Sequence, residues 1–161
     1  MKKRWLATLA AALAAAIPLS GTQQEKPKES RTAYVRRIYE KDRASYGDAC
    51  RAILSLAAGE HTDADFAAIQ KDLTGRAIVE EGWALGEDSP LTKGTLAVML
   101  CRALGIKGGL TASLFGLTRR YALRECLHIG LMESGMTEEH ISGREFIDVM
   151  TNGENYKSVQ K

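Results

Sequence analysis

Hydrophobic residues recur along this chain at the spacing of a helix, in steps of three and four positions. Stretches 66–73, 96–103 and 146–150 each place apolar side chains on one helical face, and a weaker stripe occurs at 34–39. Long alternations of Val, Ile and Thr, the usual pattern of half-buried strands, are absent. The pattern therefore predicts an all-α fold with few or no strands.

Three of the predicted helices open on a hydroxyl residue at Ser45, Thr92 and Ser142, so the starts lie 47 and 50 residues apart. A Ser or Thr in this position accepts a hydrogen bond from an unpaired N–H of the first turn. Asp48 and Glu145 stand three residues after Ser45 and Ser142, as in a capping box, whereas no acid follows Thr92 at that distance. The regular spacing indicates a repeated helix–loop–helix unit.

A second recurring pattern precedes two of these starts, AIVEEGW at 77–83 and GLMESGM at 130–136. Both read small, apolar, apolar, Glu, polar, Gly, large apolar. The glycines at the sixth position, Gly82 and Gly135, are predicted to let the chain leave a helix through positive φ. The domain is predicted at 32–152, with units at about 32–58, 63–106 and 118–152 and a C-terminal tail at 153–161.

The N-terminal residues 1–21 have the layout of a secretory signal peptide. A positive start precedes an apolar run from Leu6 to Leu19, and small residues follow. The run of 14 residues is shorter than the roughly 20 that span a bilayer. An uncleaved anchor is the alternative, and no other stretch is long and apolar enough to cross a membrane. Residues 22–31 are polar and are predicted to form a flexible spacer.

The charge balance changes once the signal peptide is removed. The chain has 161 residues, enough for one domain with a core, and a formal net charge of +2 from 22 basic and 20 acidic residues. Lys2, Lys3 and Arg4 leave with the signal peptide, so 19 basic residues face 20 acidic ones. That balance argues against a nucleic-acid partner.

The repeated motifs resemble S-layer homology (SLH) repeats. The likeness lies in AIVEEGW, LTKGTLAVML and ISGREFIDVM, with YGDACRAILSL as a weaker third copy, and it covers nearly all of 32–152. The resemblance implies three units in a compact pseudo-threefold helical assembly that attaches non-covalently to cell-wall polysaccharide in grooves between units. It also implies that a basic residue after the cap contacts carbohydrate. Lys93 holds that position in the second unit, and Arg144 lies one step from it in the third.

The candidate ligand-binding residues are an aromatic side chain and charged groups around one loop, with one residue from the third unit. An aromatic face beside charged hydrogen-bonding groups can hold a sugar or an anionic polymer. The alternative is that the aromatic residue packs between units and the charges are solvated. The predicted set is Trp83, Glu87, Asp88, Lys93 and Arg144.

The remaining reactive side chains do not predict an active site or a metal site. Cys50, Cys101 and Cys126 lie beside apolar residues in helices, which favours buried free thiols; an exported chain could instead oxidise two of them and leave one free. The three His residues are scattered without ligand spacing. No nucleophile elbow, P-loop or dinucleotide fingerprint occurs, so we expect no enzyme activity and no cofactor.

Two functions are therefore predicted for a protein in the periplasm or cell envelope. The first is an exported, non-catalytic module that binds cell-wall glycan. The second is a structural or adaptor protein that keeps the fold and binds an envelope protein.

Overall fold

The computed structural model describes residues 30–59, 64–107 and 117–160, and these residues form six helices and no strand. The all-α prediction is confirmed. The helices are α1 (Arg31–Tyr39), α2 (Tyr46–Ala58), α3 (Phe66–Gly75), α4 (Lys93–Ala103), α5 (Arg119–His128) and α6 (Gly143–Val159). The predicted signal peptide and most of the predicted spacer lie outside the described residues.

The three predicted N-caps are confirmed, since α2, α4 and α6 begin directly after Ser45, Thr92 and Ser142. Only one capping box is complete. Ser45 Oγ accepts from the N–H of Asp48, and the Asp48 carboxylate accepts from the N–H of Ser45 at 3.0 Å. Ser142 Oγ accepts from its third residue in the same way. That residue, Glu145, turns its carboxylate to Lys93 instead of back to the cap.

The residues before the three caps are joined by a closed ring of backbone hydrogen bonds. The N–H of Leu91 donates to the carbonyl of Ala44 (3.0 Å), that of Ile141 donates to Leu91 (3.1 Å), and that of Ala44 donates to Ile141 (2.9 Å). All three side chains are buried. The ring holds the starts of α2, α4 and α6 at one point of the core.

The first turns of the same helices donate to the loop of another start. The N–H groups of α2 donate to the carbonyls of Ser89 and Glu87, those of α4 donate to Glu139 and Thr137, and that of Gly143 in α6 donates to Lys41. These are the N–H groups that a helix leaves without an internal partner. Each helix start therefore needs a neighbouring loop for its hydrogen bonds.

Helix α4 lies at the centre of the packing. Every residue from Lys93 to Cys101 is buried. The predicted stripe at 96–103 was too narrow, because α4 packs against both α2 and α5 and is covered on more than one side. The predicted faces of α3 and α6 are confirmed, with Ile69, Leu73 and Phe146 fully buried.

The predicted tail at 153 lies inside a helix, since α6 continues to Val159. Gly153 packs against α4 and α2: a Cβ added there would lie 3.4 Å from Leu100 and 3.5 Å from Leu56. Lys157 Nζ donates to the carbonyls of Leu56 and Ala57 at the end of α2. A cation at this end stabilises the unpaired carbonyls and the helix dipole. These tertiary contacts explain why the helix extends.

In the two patterned segments, the residue with positive φ is at the first position and not at the sixth. Ala77 has φ +57° and Gly130 has φ +75°, whereas Gly82 and Gly135 are not in the left-handed region. The following N–H groups donate back to the helices, Ile78 to Leu73 (2.9 Å) and Leu131 to Cys126 (2.8 Å). This is the Schellman ending of a helix. The prediction that the sixth glycine provides the positive φ was wrong.

Ala77→Gly is expected to raise the free energy of unfolding by about 1 kcal/mol. Removing the Cβ relieves about 1–2 kcal/mol of strain in the left-handed region. Part of this gain is lost because glycine gives up more backbone entropy on folding than alanine. Gly130→Ala, the reverse change at the equivalent turn, is expected to lower it by about 1 kcal/mol. Urea denaturation of both variants and the wild type checks the pair. Equal stability of all three would contradict the assigned turn.

Candidate functional site

An open cleft of about 380 Å³ lies where the loop after α3 meets α4 and the start of α5. It is lined by Glu80, Trp83, Val98, Arg102, Leu117, Thr118 and Arg119. Thr118 caps α5 by accepting from the N–H of Tyr121, which places Arg119 in the first turn beside the loop. The Schellman ending of α3 sets the path of the loop that carries Glu80 and Trp83.

One aromatic ring and three charged side chains lie together in this cleft. The Arg119 guanidinium lies 5.6 Å from the centroid of the Trp83 ring, a cation–π distance. Arg102 forms an ion pair with Glu80, and the indole N–H of Trp83 donates to the same carboxylate at 3.2 Å. The Arg102 hydrogen bond lowers the pKa of Glu80. Two guanidiniums against one carboxylate leave a net positive charge, which suits an anionic ligand.

Trp83 also packs against an aromatic residue of the core. Its ring lies 6.4 Å from that of Tyr46, and Tyr46 meets Phe66 edge to face at 6.1 Å. Tyr46 is fully buried, and burial beside Cys50 raises the pKa of its hydroxyl. Aromatic pairs at these distances add to the stability of their packing. Trp83 thus takes part in the packing between helices, as one prediction had it, and also lines the cleft.

Glu87 and Asp88 lie on the same loop but outside the cleft. Glu87 forms an ion pair with Arg51 of α2, and its carbonyl accepts from the N–H of Gly47. The loop approaches α2 so closely that a Cβ on Gly47 would lie 3.0 Å from the Glu87 carbonyl oxygen. Asp88 is exposed. Glu87 therefore serves to hold the loop on α2.

Lys93 is buried, with its side chain only 4% exposed. Its ammonium lies 3.0 Å from Glu145 Oε1 and 3.3 Å from Glu139 Oε1, and it donates to the carbonyl of Ser134 at 3.2 Å. Burial alone would lower the pKa of Lys93, but the hydrogen bonds and charges of Glu145 and Glu139 outweigh it and raise the pKa. Gly135 leaves space for the side chain, since a Cβ there would lie 2.6 Å from Lys93 Nζ.

Arg144 lies elsewhere, exposed at the start of α6, with its guanidinium 5.0 Å from the centroid of the Tyr39 ring. Of the five predicted ligand-binding residues, the structure places only Trp83 in the cleft. Sequence reasoning did not single out Arg102 and Arg119, because they approach Trp83 only through the fold. Glu80 carried a signal, since a Glu recurs at the fourth position of both patterned segments.

Within the described residues, the three cysteines are buried free thiols. Burial raises the pKa of the Cys50 thiol to about 11, so it is protonated at neutral pH. Within residues 30–59, 64–107 and 117–160, no group of His, Cys, Asp and Glu side chains is arranged to hold a metal ion. His61 lies outside these ranges.

Comparison with family models, curated proteins and solved structures finds no match for this chain. Among the described residues, no helix combines the length and the apolar character that a bilayer span requires.

Proposed function

We propose that this protein is an exported, non-catalytic, SLH-like module that binds an anionic cell-wall polysaccharide through the cleft at Trp83. The observation that carries the proposal is an open cleft lined by the Trp83 indole and by two guanidiniums, those of Arg102 and Arg119. Guanidiniums form paired hydrogen bonds to carboxylate or phosphate groups, and an aromatic ring beside them offers an apolar surface to a sugar. A polymer with acidic sugars or phosphate links offers both features.

The three-unit, pseudo-threefold assembly belongs to the same proposal. The closed hydrogen-bond ring of Ala44, Leu91 and Ile141 supports it, as do the capped starts of α2, α4 and α6. The two matching Schellman endings support it as well. The cleft lies between the loop of the second proposed unit and the first helix of the third, so the units together create the binding surface.

Sedimentation with purified peptidoglycan that retains its attached polysaccharide tests this function. Arg119→Ala is expected to weaken binding about tenfold, equivalent to about 1.4 kcal/mol, because it removes one guanidinium and its contact with Trp83. Trp83→Ala is expected to weaken it at least as much. Salt should weaken wild-type binding, since exposed charges are screened.

Arg124→Ala is the matched control, because Arg124 is an exposed arginine on the same helix and does not line the cleft. It removes the same charge and should bind as the wild type does. Far-ultraviolet circular dichroism of each variant establishes that the helices are intact. If the wild type does not sediment at low salt, or if both arginine variants lose binding equally, the cleft is not the site.

A structural or adaptor role with a protein partner is the second candidate. It is favoured by two residues that were predicted to face a ligand and instead form ion pairs within the protein, Glu87 with Arg51 and Lys93 with Glu145. A groove of about 90 Å³ between α1, α2 and α6 has the apolar side chains Val35, Ile147 and Met150 in its lining. Retention by envelope protein after the polysaccharide is removed would favour this role over glycan binding.

A further inference from the structure

Helices α4 and α5 meet through small side chains spaced four residues apart. Ala97 and Cys101 lie on α4, Ala122 and Cys126 lie on α5, and all four are fully buried. Residues at this spacing share one helical face. Because their side chains are short, each thiol reaches the backbone of the opposite helix: Cys101 Sγ lies 3.8 Å from the Ala122 carbonyl oxygen, and Cys126 Sγ lies 3.8 Å from that of Ala97.

The two sulfurs are in direct contact in the middle of this interface. Cys101 Sγ and Cys126 Sγ are 3.6 Å apart, and both residues have no exposed surface. A disulfide needs an S–S length of about 2.05 Å, so the sulfurs must approach by about 1.5 Å for the bond to form. Cys50, the third thiol, lies on α2 beside Tyr46.

We propose that Cys101 and Cys126 are the site of an intramolecular disulfide that joins α4 to α5 after export, leaving Cys50 as the free thiol. The sequence leaves open which two of the three cysteines pair, and the structure selects this pair by contact. The inference rests on export, which is part of the proposed function, but it does not depend on glycan binding. Disulfides persist in exported proteins because those compartments are oxidising.

The oxidant is a disulfide, such as oxidised glutathione or the active-site disulfide of a thiol oxidoreductase. One cysteine thiolate attacks a sulfur of this disulfide and releases one thiolate, forming a mixed disulfide. The second cysteine thiolate attacks the protein sulfur and releases the other thiolate. The protein loses two hydrogens, and the oxidant becomes two thiols.

Burial sets the order of folding and oxidation. An oxidant cannot reach either sulfur while α4 and α5 are packed, so the reaction takes place before the interface closes or when it opens. Oxidation of the folded, reduced protein is therefore slow, and a urea concentration that opens the structure without fully unfolding it accelerates the reaction severalfold. Refolding from urea in the presence of oxidised glutathione gives the bond directly.

The test is to refold the full chain in a glutathione redox buffer and count reactive thiols with a maleimide under denaturing conditions. We expect one reactive thiol instead of the three of the reduced chain. The peptide map should contain a tryptic peptide ending at Arg102 joined to one beginning at Glu125. The oxidised protein should melt about 10 °C above the reduced one, because the bond closes a loop in the unfolded chain.

Cys50→Ala is the matched control and should keep both the bond and the melting shift. Cys101→Ala and Cys126→Ala should each keep two reactive thiols and show no shift. Three reactive thiols after refolding, or a disulfide that includes Cys50, would overturn the proposal. A second result would also overturn it. If the refolded protein forms the bond but maleimide traps three thiols in intact cells, the exported chain is not oxidised. Polysaccharide binding is measured separately, so its loss or retention does not affect this result.

Discussion

Gly143→Ala is expected to lower the free energy of unfolding by about 3 kcal/mol or more. A Cβ on Gly143 would overlap the carbonyl oxygen of Ile38 and lie 2.9 Å from that of Lys41. Both obstacles are backbone atoms at the end of α1, so neither can rotate away. Overpacking that moves backbone typically costs about 1–3 kcal/mol and sometimes more.

The damage would spread because Gly143 is next to the hydrogen-bond ring. Its N–H donates to Lys41 at 3.0 Å. Two residues before Gly143, the carbonyl of Ile141 in the ring accepts from the N–H of Ala44 at 2.9 Å. A shift of the α1–α2 connection would stretch both bonds. Buried backbone groups that lose their partners cost about 1–3 kcal/mol each.

Gly75→Ala is the matched control for this prediction. Gly75 is the last residue of α3, its φ is not positive, and a Cβ there would meet nothing within 4 Å. The same substitution should therefore be neutral or slightly stabilising, since alanine favours a helix over glycine by up to about 1 kcal/mol. Urea denaturation compares the two variants. A Gly143→Ala protein as stable as Gly75→Ala would refute the close approach of α1 to α6.

Lys93→Met is expected to lower the free energy of unfolding by about 2–3 kcal/mol at neutral pH. The change keeps the apolar stem but removes the ammonium, leaving the carboxylates of Glu139 and Glu145 without their shared cation. Breaking a fully buried pair costs about 3–5 kcal/mol. The loss here is smaller because the Glu139 and Glu145 side chains are 49% and 21% exposed.

The pH dependence of this loss has a defined sign. The pKa of Lys93 is raised above its usual 10.5, so the contribution of its charge is present below that pH and is lost as pH rises through the raised value. Hydrogen bonds from the Met136 N–H and from Lys93 lower the pKa of Glu139 below its usual 4.5. Its contribution is present above 4.5 and is lost as pH falls through the lowered value. The difference between wild type and Lys93→Met should therefore be largest between about pH 5 and 10 and shrink on the acid side.

Lys71→Met is the control, because Lys71 is exposed on α3 and exposed substitutions usually change stability by less than about 0.5 kcal/mol. The double change Lys93→Met with Glu145→Leu should be less destabilising than Lys93→Met alone, since it also removes a stranded carboxylate. Equal losses for Lys93→Met and Lys71→Met would contradict the buried ion pairs. Lys93 was predicted to contact carbohydrate, but the structure places it inside the protein. A large loss of stability in Lys93→Met would therefore assign Lys93 a structural role.

The helices and their starts could be read from the sequence because their causes are local. A hydroxyl residue followed by an apolar stripe specifies a capped helix, and Ser45, Thr92 and Ser142 each cap one. Local reasoning was less reliable at the turns. It assigned positive φ to Gly82 and Gly135 from residue type, whereas the hydrogen bonds of the helix ends place it at Ala77 and Gly130.

The candidate site could be predicted only in part, because the charge of a residue does not reveal whether its side chain faces solvent or pairs with another residue in the fold. Lys93 and Glu87 were expected to face a ligand, but both have ion-pair partners on other helices or loops. Arg102 and Arg119 carry no local signal. Arg102 lies at the end of α4 and Arg119 at the start of α5. They share a cleft with Trp83 only because of how these helices pack.

The sequence by itself therefore determined an all-helical chain with three capped starts, since caps and stripes act within one turn or one helix. The tertiary structure alone decided which groups meet across the chain. Three such contacts each join residues at least 25 positions apart: the hydrogen-bond ring of Ala44, Leu91 and Ile141, the ion pair of Lys93 with Glu145, and the contact of Cys101 with Cys126. Such contacts form only when the helices have docked, because their free energy depends on excluding water from groups that are separated in the unfolded chain.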